Sequence, residues 1–401
     1  MPKTIVLCLD GTWDGPDARA ADGASTASNV QKVFESLSGS EPLGPSDNER
    51  EITFPTGQDP VEQVAKYIHG VGDVHNVLAR AVEGATGIGL LARIIRGYTY
   101  LSREFQRGDH IVMVGFSRGA YTARALAGFV AGQGLLDWTA MKLTAGTDLS
   151  YSAGLAAWEA YKTARNAGAH GILQGLADVV TSLHDRFDLG LHPAPQLRFV
   201  DDVPIRAVAV WDTVGALGIP DMQVTGGTVV RRDVFEFVDT QLSNSVEHGF
   251  HAIAIDEERA DFTPTLWDTR DGVVQVLFPG AHGDVGGGYP DTEAGLSNCA
   301  LAWMARQLSA IGVLFANMPA GAPDPLGVQH RPWVDSAVLY VTARRHFPPG
   351  LCLSQRVLQR VAATNVPVQD ERDAVYRPVN LLNSYLLLDG SASAPHVVVV
   401  A

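Results

Sequence analysis

Residues 109–121 form the sequence DHIVMVGFSRGAY, the strongest local pattern in the chain. The apolar run Ile111–Val114 predicts a strand buried on both faces, as the strands of parallel sheets are. A tight Gly115-x-Ser117-x-Gly119 turn follows and leads into a segment of helical character, Tyr121–Val130. Strand, sharp turn and helix in this order expose a serine hydroxyl above the carboxyl edge of a sheet. The simpler alternative is a glycine-rich turn whose serine caps the next helix.

Three further apolar runs predict buried strands that end beside reactive residue types: Thr4–Leu9, Ile205–Val210 and Val273–Phe278. The first is followed by Asp10-Gly11-Thr12, the second by Trp211 and Asp212, and the third by a glycine-rich loop that contains His282. The carboxyl ends of parallel strands share one edge of a sheet, so we expect these strand ends to meet beside Ser117. The loop glycines leave His282 room to turn its ring towards a neighbour.

The candidates follow one another in the order Ser117, Asp212, His282, which is the order of nucleophile, acid and base in α/β-hydrolases. In this interpretation neutral His282 takes the proton of Ser117 as the hydroxyl attacks an ester carbonyl. Asp212 orients the imidazole and stabilises the imidazolium that forms. The alternative for Asp212 is a capping role in the segment that follows it.

Backbone N–H groups are expected to hold the oxyanion that forms on the substrate carbonyl. One belongs to Arg118, directly after the serine, and the other to Gly11 or Thr12 in the loop after the first strand. An ordinary turn capped by Asp10 is the alternative for that loop.

A second histidine, His251, competes with His282 for the role of base. It lies in the segment His248–Glu258, which is predicted to be helical. Its apolar neighbours are typical of a histidine packed in a core, so His282 is preferred. The sequence has no HExxH pattern, and we expect neither a metal site nor a cofactor.

The fold class is predicted to be α/β, specifically α/β-hydrolase-like: a mostly parallel central sheet with helices on both faces. Residues 1–401 are expected to form one catalytic domain, with an inserted helical cap at residues 135–200. The remaining predicted elements are five helices and two strands. The helices are Val30–Leu37, Leu90–Phe105, Leu296–Ile311 and, in the cap, Ala156–Ala164 and Gly171–Phe187. The strands are Ile52–Phe54 and an edge strand, Val397–Val400.

Composition narrows the function classes further. The formal net charge of −14 offers no electrostatic reason to bind nucleic acid or the anionic face of a bilayer. Neither Gly70–Gly72 nor Gly84–Gly89 is followed by the Lys-Ser/Thr of a P-loop, which argues against a nucleotide site. Three scattered cysteines suit a reducing compartment. The sequence shows no signal peptide and no membrane-spanning run, so we expect synthesis as a cytoplasmic protein, with any export following a non-Sec route.

Five ordered motifs carry a family resemblance: LDGTW at 9–13, GATG at 84–87, GFSRGAYTAR at 115–124, WDTVG at 211–215 and HGDVGGGY at 282–289. With weaker matches near residues 376–381, the chain resembles a formerly uncharacterised family of α/β-hydrolase domains that includes type VI secretion phospholipase effectors. The resemblance implies a Ser-Asp-His triad at Ser117, Asp212 and His282. Two positions depart from the family pattern, Asp14 in place of the usual Asn and Gly283 in place of a common Ser.

The same resemblance implies the substrate class and the partners. Lipid esters are the expected substrates, with phospholipase A-like cleavage through an acyl-enzyme and peripheral contact with a membrane. For an effector, a secretion-system or immunity partner is expected. The alternatives are an esterase or thioesterase acting on a soluble small substrate, and a non-catalytic binding module that keeps the fold.

Overall fold

The computed structural model of the chain describes residues 2–11, 26–44, 48–57, 60–70, 87–166, 196–214, 221–225, 228–232, 241–319, 321–334, 340–369, 374–381 and 399–400. Their strands are β1 Thr4–Leu9, β2 Glu49–Phe54, β3 Gln63–Ile68, β4 His110–Phe116, β5 Leu135–Leu136, β6 Phe199–Val200, β7 Ile205–Trp211, β8 Asp221–Thr225, β9 Thr228–Arg232, β10 Val246–Ala254, β11 Val273–Phe278, β12 Cys352–Ser354 and β13 Val399–Val400.

Nine of these strands form a central sheet in the order β13-β12-β11-β10-β7-β4-β1-β3-β2. Every neighbouring pair is parallel except β2 and β3 at one edge, which are antiparallel. Two short antiparallel pairs, β5–β6 and β8–β9, lie outside the sheet. The predicted mostly parallel α/β sheet is therefore confirmed. The predicted strand Ile52–Phe54 lies within β2, and the predicted edge strand Val397–Val400 occurs as β13.

Helices cover both faces of the sheet. Successive side chains of a strand point to opposite sides, and in β1 they are all buried, so each face needs a covering layer. The helices are α1 Asn29–Ser36, α2 Gly87–Glu104, α3 Arg118–Gln133, α4 Asp148–Asn166, α5 His282–Gly286, α6 Gly295–Ala310 and α7 Gln355–Ala362. In β1, Ile5 and Leu7 share a core with residues of α2, α3 and α4. Val6 and Cys8 share the opposite core with residues of α1 and α6. This arrangement is the α/β-hydrolase type that the sequence predicts.

One predicted helix is wrong. His248–Glu258 overlaps β10, which lies between β7 and β11 and is parallel to both. A strand in the middle of a parallel sheet is buried on both faces, so its residues are apolar in succession and do not alternate. A short run of this kind has no periodicity that distinguishes strand from helix.

The described part of the 135–200 insertion packs against the helix layer. Trp158 of α4 is fully buried, and its ring lies 5.1 Å from that of Phe129 in α3. The rings of Trp158 and Tyr161 are 5.7 Å apart. The second predicted helix, Gly171–Phe187, lies outside the described residues, and the role of the insertion as a cap stays a prediction. None of the helices in the described stretches has the length and apolar run needed to cross a bilayer.

Candidate active site

Ser117 occupies a strained turn between β4 and α3. Its φ is 55° and its ψ is −123°, a conformation that non-glycine residues seldom adopt. A Cβ atom at Gly119 would overlap the carbonyl oxygen of Leu9, and one at Gly115 would lie 2.6 Å from the carbonyl oxygen of Gly119. Only glycine fits at both places. The Ser117 side chain makes no capping hydrogen bond to α3, so the helix-cap alternative is not what the structure contains.

The end of the neighbouring strand β7 brings Asp212 beside this turn. The Ser117 N–H donates to the carbonyl oxygen of Trp211 at 3.2 Å, which joins the serine backbone to the residue before Asp212. Asp212 itself has a φ of 36° and is completely buried. Its N–H donates to the Ala252 carbonyl at 2.7 Å, and its Oδ1 accepts the Ala254 N–H at 2.9 Å. The acid is therefore built into the gap between β7 and β10.

His282 completes the group. Its Nδ1 lies 2.6 Å from Asp212 Oδ2. A carboxylate only accepts hydrogen bonds, so Nδ1 carries the proton and Nε2 is the basic nitrogen of the neutral ring. The ring centroids of Phe116 and Phe262 lie 4.6 Å and 5.0 Å from that of His282. Phe116 directly precedes Ser117, so the three predicted triad positions converge at one edge of the sheet.

The backbone of His282 is held as firmly as its ring. Its N–H donates to Glu257 Oε2 at 3.2 Å, and His282 is the first residue of the short helix α5. The prediction of an open loop in which the ring can swing is therefore wrong. The glycines serve close packing: a Cβ atom at Gly286 would overlap the ring of Phe116. Burial lowers the pKa of His282 below its ordinary value, although Asp212 acts in the opposite direction.

Arg345 is a site residue that the sequence did not indicate. Its Nη1 lies 2.8 Å from Asp212 Oδ1, and its Nη2 lies 3.0 Å from Oδ2. Burial opposes the ionised form of Asp212, but the Arg345 charge and the His282 hydrogen bond outweigh it, so the pKa of Asp212 is held well below its usual range. No local pattern around Arg345 could have linked it to a residue that lies so far away in the sequence.

The three expected oxyanion donors differ in how the structure places them. Arg118 is the first residue of α3, so its N–H belongs to the first turn, where helices lack internal acceptors. The Gly11 N–H donates to Asp10 Oδ1 at 2.7 Å. Thr12 lies outside the described residues. The oxyanion assignment stays a prediction for all three.

A family model matches about three quarters of the chain. Residues 3–307 match the sequence model of a family described as "T6SS, Phospholipase effector Tle1-like, catalytic domain". This chain belongs to the Tle1-like family. The description of this family names phospholipase effectors. Ser117, Asp212 and His282 lie inside the matched range, and Arg345 lies beyond it.

Individual relatives are distant. The chain is 26% identical to the uncharacterized protein YEL023C of Saccharomyces cerevisiae over 273 aligned residues. The aligned region covers 65% of this chain and 32% of the yeast protein. An uncharacterized protein from Pseudomonas aeruginosa has a structure with a TM-score of 0.40 and 16% identity, covering 78% of this chain and 46% of that one. The structure of the Tle1 effector bound to the VgrG spike of the type 6 secretion system has a TM-score of 0.34 and 16% identity. It covers 74% of this chain and 52% of that one. The chain thus spans between a third and about half of these proteins.

Asp10 stabilises the first strand end of the Tle1-like site. It is completely buried, and its carboxylate accepts the hydroxyls of Ser28 and Tyr67, each at 2.6 Å. Burial raises the pKa of Asp10, while these hydrogen bonds act in the opposite direction. Arg93 donates to the Asp10 carbonyl oxygen. These partners fix the loop that enters Gly11, a role broader than the simple cap that the sequence suggested.

His251, the other candidate base, is a core residue of the Tle1-like fold. It is fully buried, and its Nε2 accepts the Thr213 N–H at 3.1 Å. Burial lowers the pKa of His251 to about 3. A ring whose acceptor nitrogen is already bonded to the backbone supports the loop after Asp212. Among the described stretches, no cluster of His, Cys, Asp and Glu has the arrangement of a metal site.

Proposed function

We propose that this Tle1-like domain is a serine carboxylic-ester hydrolase that acts on lipid esters as a phospholipase A does. The observation that carries the proposal is the 2.6 Å hydrogen bond between His282 Nδ1 and buried Asp212, beside the strained turn of Ser117. A strained serine, a buried acid and a neutral histidine, in this chain order, match the requirements of acyl transfer through a covalent intermediate.

The first half-reaction forms an acyl-enzyme. His282 Nε2 accepts the proton of Ser117 Oγ as that oxygen attacks the ester carbonyl carbon. Asp212 stabilises the imidazolium. As the tetrahedral intermediate collapses, the C–O bond to the alcohol breaks and His282 returns the proton to the leaving oxygen. Water then attacks the acyl-enzyme by the same route, and a carboxylic acid and free Ser117 result.

The N–H of Arg118 is the primary donor to the oxyanion in this proposal, and Gly11 or Thr12 supplies the second. One such donor contributes about 3 kcal/mol to the transition state. The Gly11 N–H bonds to Asp10, so its use requires that this hydrogen bond be exchanged for one to the substrate.

Lipid esters are favoured over soluble substrates by the family description, and the partly exposed ring of Phe262 beside His282 suits an apolar acyl chain. Contact with a membrane surface is then peripheral. If the chain acts as an effector, a secretion-system component or an immunity protein is the expected partner. A soluble ester or thioester is the alternative substrate, and a non-catalytic binding module is the alternative class.

The first experiment is the intact mass of the purified protein after treatment with a fluorophosphonate, beside the Ser117→Ala variant. One adduct on the wild type and none on the variant is the expected result, because only an activated serine reacts. No adduct on the wild type would contradict the hydrolase assignment.

The substrate class needs a second assay. Release of fatty acid from zwitterionic phosphatidylcholine vesicles is compared with hydrolysis of a short soluble ester and a thioester. Faster turnover on vesicles supports the lipid assignment. Turnover confined to the soluble substrates would replace it with the esterase alternative.

A further inference from the structure

We propose that Arg345 is a positioning residue of this hydrolase, which clamps both oxygens of Asp212 and so sets the orientation and the proton affinity of His282. The inference rests on the proposed function, since it assigns Asp212 and His282 their roles. It adds a fourth member to the site from outside residues 3–307, the range of the family match.

The Arg345 guanidinium binds the Asp212 carboxylate through two parallel hydrogen bonds, a bidentate contact called the Arg345 fork. Nη1 and Nη2 lie 2.8 Å and 3.0 Å from separate oxygens of Asp212, which is the bidentate geometry specific to arginine. The same two nitrogens also donate to the backbone, Nη1 to the Ala254 carbonyl at 2.7 Å and Nη2 to the Phe262 carbonyl. The side chain is buried. Backbone contacts therefore hold Arg345 in place independently of its bonds to Asp212.

These contacts leave Asp212 a single orientation. A carboxylate has about four acceptor positions. Oδ1 takes the Ala254 N–H and Arg345 Nη1, while Oδ2 takes Arg345 Nη2 and His282 Nδ1. Rotation of the carboxylate would break the Arg345 fork and the His282 bond together.

The segment that carries Arg345 is hydrogen-bonded to the connection between β10 and β11. The Ala343 N–H donates to the Glu258 carbonyl at 2.7 Å, and the Ala260 N–H donates to the Val341 carbonyl at 2.8 Å. That connection also supplies Glu257 to the His282 backbone. Residues beyond the family match thus complete the surroundings of the base.

The charge of Arg345 bears on His282 through Asp212. Among the described residues, Asp212, Glu257 and Arg259 act on His282 directly, and Arg345 contacts Asp212. Glu257 and Arg259 pair with each other at 2.8 Å. Arg345 offsets the charge of Asp212 and weakens its pull on a proton at His282. Without Arg345, the buried Asp212 charge is uncompensated, so His282 binds its proton more tightly and is neutral over a narrower pH range.

A purely structural ion pair is the competing explanation. Buried ion pairs add little net stability, because desolvation offsets their attraction, but the loss of one partner is destabilising in any case. Stability alone therefore cannot distinguish the two explanations. The pKa of His282 can, and Arg360 offers a matched control: it is fully buried in the same part of the chain and bonds the carbonyls of Pro325 and Gly327.

The test compares Arg345→Met, Arg345→Lys and Arg360→Met with the wild type. The His282 pKa is measured by NMR on protein with 15N-labelled histidine, and the fluorophosphonate labelling rate is measured across pH. We expect Arg345→Met to raise the His282 pKa by about one unit, to shift the acidic limb of labelling upward equally, and to slow labelling about 10- to 100-fold at its optimum.

The other variants distinguish the effect of the Arg345 charge on His282 from the effect of its bidentate contact with Asp212. Lysine keeps the charge without the fork, so Arg345→Lys should slow labelling while the His282 pKa stays within a few tenths of the wild type. Arg360→Met should lower the melting temperature alone. In an Asp212→Asn background, Arg345→Met should slow labelling further by less than about threefold, because both residues act through one contact.

An unchanged His282 pKa and labelling rate in Arg345→Met would overturn the inference. If that variant does not fold, Arg345→Lys with wild-type labelling would overturn it as well. A wild type that takes no label would refute the hydrolase, and the NMR titration, which needs no activity, would still decide the effect of Arg345 on His282.

Discussion

At the scale of single residues, the backbone of Ser117 depends on the glycines on either side of it. Because a methyl group at Gly119 meets the backbone of Leu9, Gly119→Ala should push α3 away from β1. We expect a loss of about 3 kcal/mol or more in the free energy of unfolding, together with loss of fluorophosphonate labelling. Urea denaturation followed by circular dichroism measures the first effect.

Gly128→Ala, in the same helix, is the matched control for Gly119→Ala. Its added methyl group would lie 3.4 Å from the Tyr161 hydroxyl, an ordinary contact. Alanine also has the higher helix propensity, so this variant should gain up to about 1 kcal/mol. Equal losses in the two variants would show that helix packing in general, and not the turn at Ser117, explains the result.

The base assignment gives a second prediction for a single residue. His282→Ala should reduce ester turnover by about three to four orders of magnitude, because the variant lacks the proposed acceptor of the Ser117 proton. His248→Ala, in β10, should leave turnover within about twofold. Initial rates on phosphatidylcholine vesicles and on a soluble ester measure both. Turnover in His282→Ala close to that of wild type would remove this residue from the mechanism.

At the scale of elements, the sequence predicted those strands and helices whose patterns are long or unmistakable. β1 and β11 occur at the predicted residues, and α2 and α6 begin and end within a few residues of prediction. β3 was not predicted, because Gln63 and Lys66 interrupt its apolar run. Both are buried and satisfied by distant partners: Gln63 bonds the Leu314 backbone, and Lys66 pairs with Glu49. Such partners are invisible in a local pattern.

The candidate site likewise contains residues that the local sequence pattern indicated and one, Arg345, that it did not. Ser117, Asp212 and His282 follow apolar strands, so strand ends pointed to them and the structure brings them together. None of the strands in the described residues ends just before Arg345, and its position depends on the packing of the 340–347 segment against the β10–β11 connection. A position that depends on contacts between distant parts of the chain cannot be read from neighbours in the sequence.

The third prediction concerns α4. Trp158→Ala should lower the free energy of unfolding by about 3–5 kcal/mol, because the ring is completely buried against Phe129. Leu149→Ala, at a side chain 38% exposed in the same helix, should change it by less than about 0.5 kcal/mol. Urea denaturation measures both. A Trp158→Ala protein as stable as wild type would mean that α4 is not part of the cooperative fold.

At the scale of the whole molecule, the buried His251 links stability to pH. Its pKa is about 3 in the folded chain and about 6.5 in an unfolded one. Between these values the unfolded chain binds one more proton, so the free energy of unfolding falls by about 1.4 kcal/mol per unit as the pH falls. The contribution of His251 to the free energy of unfolding is fully present above pH 6.5. A change from pH 7 to pH 5 lowers the free energy of unfolding by about 2 kcal/mol through His251.

The measurement for this fourth prediction is urea denaturation of the wild type and His251→Gln at both pH values. The wild type should lose about 2 kcal/mol more than the variant between pH 7 and pH 5. Asp256, whose pKa burial raises to about 6, acts in the opposite direction but is common to both proteins and cancels. Equal losses would mean that His251 is protonated in the folded state.

The contact between Gly119 and Leu9 also limits how the molecule can move. The N-terminal turn of α3 rests directly on the end of β1, with no side chain between the two backbones. The serine turn and the first strand must therefore shift as one rigid body. Thermal fluctuations that widen the space beside Ser117 are therefore expected in other elements, while the position of Ser117 relative to β1 stays fixed.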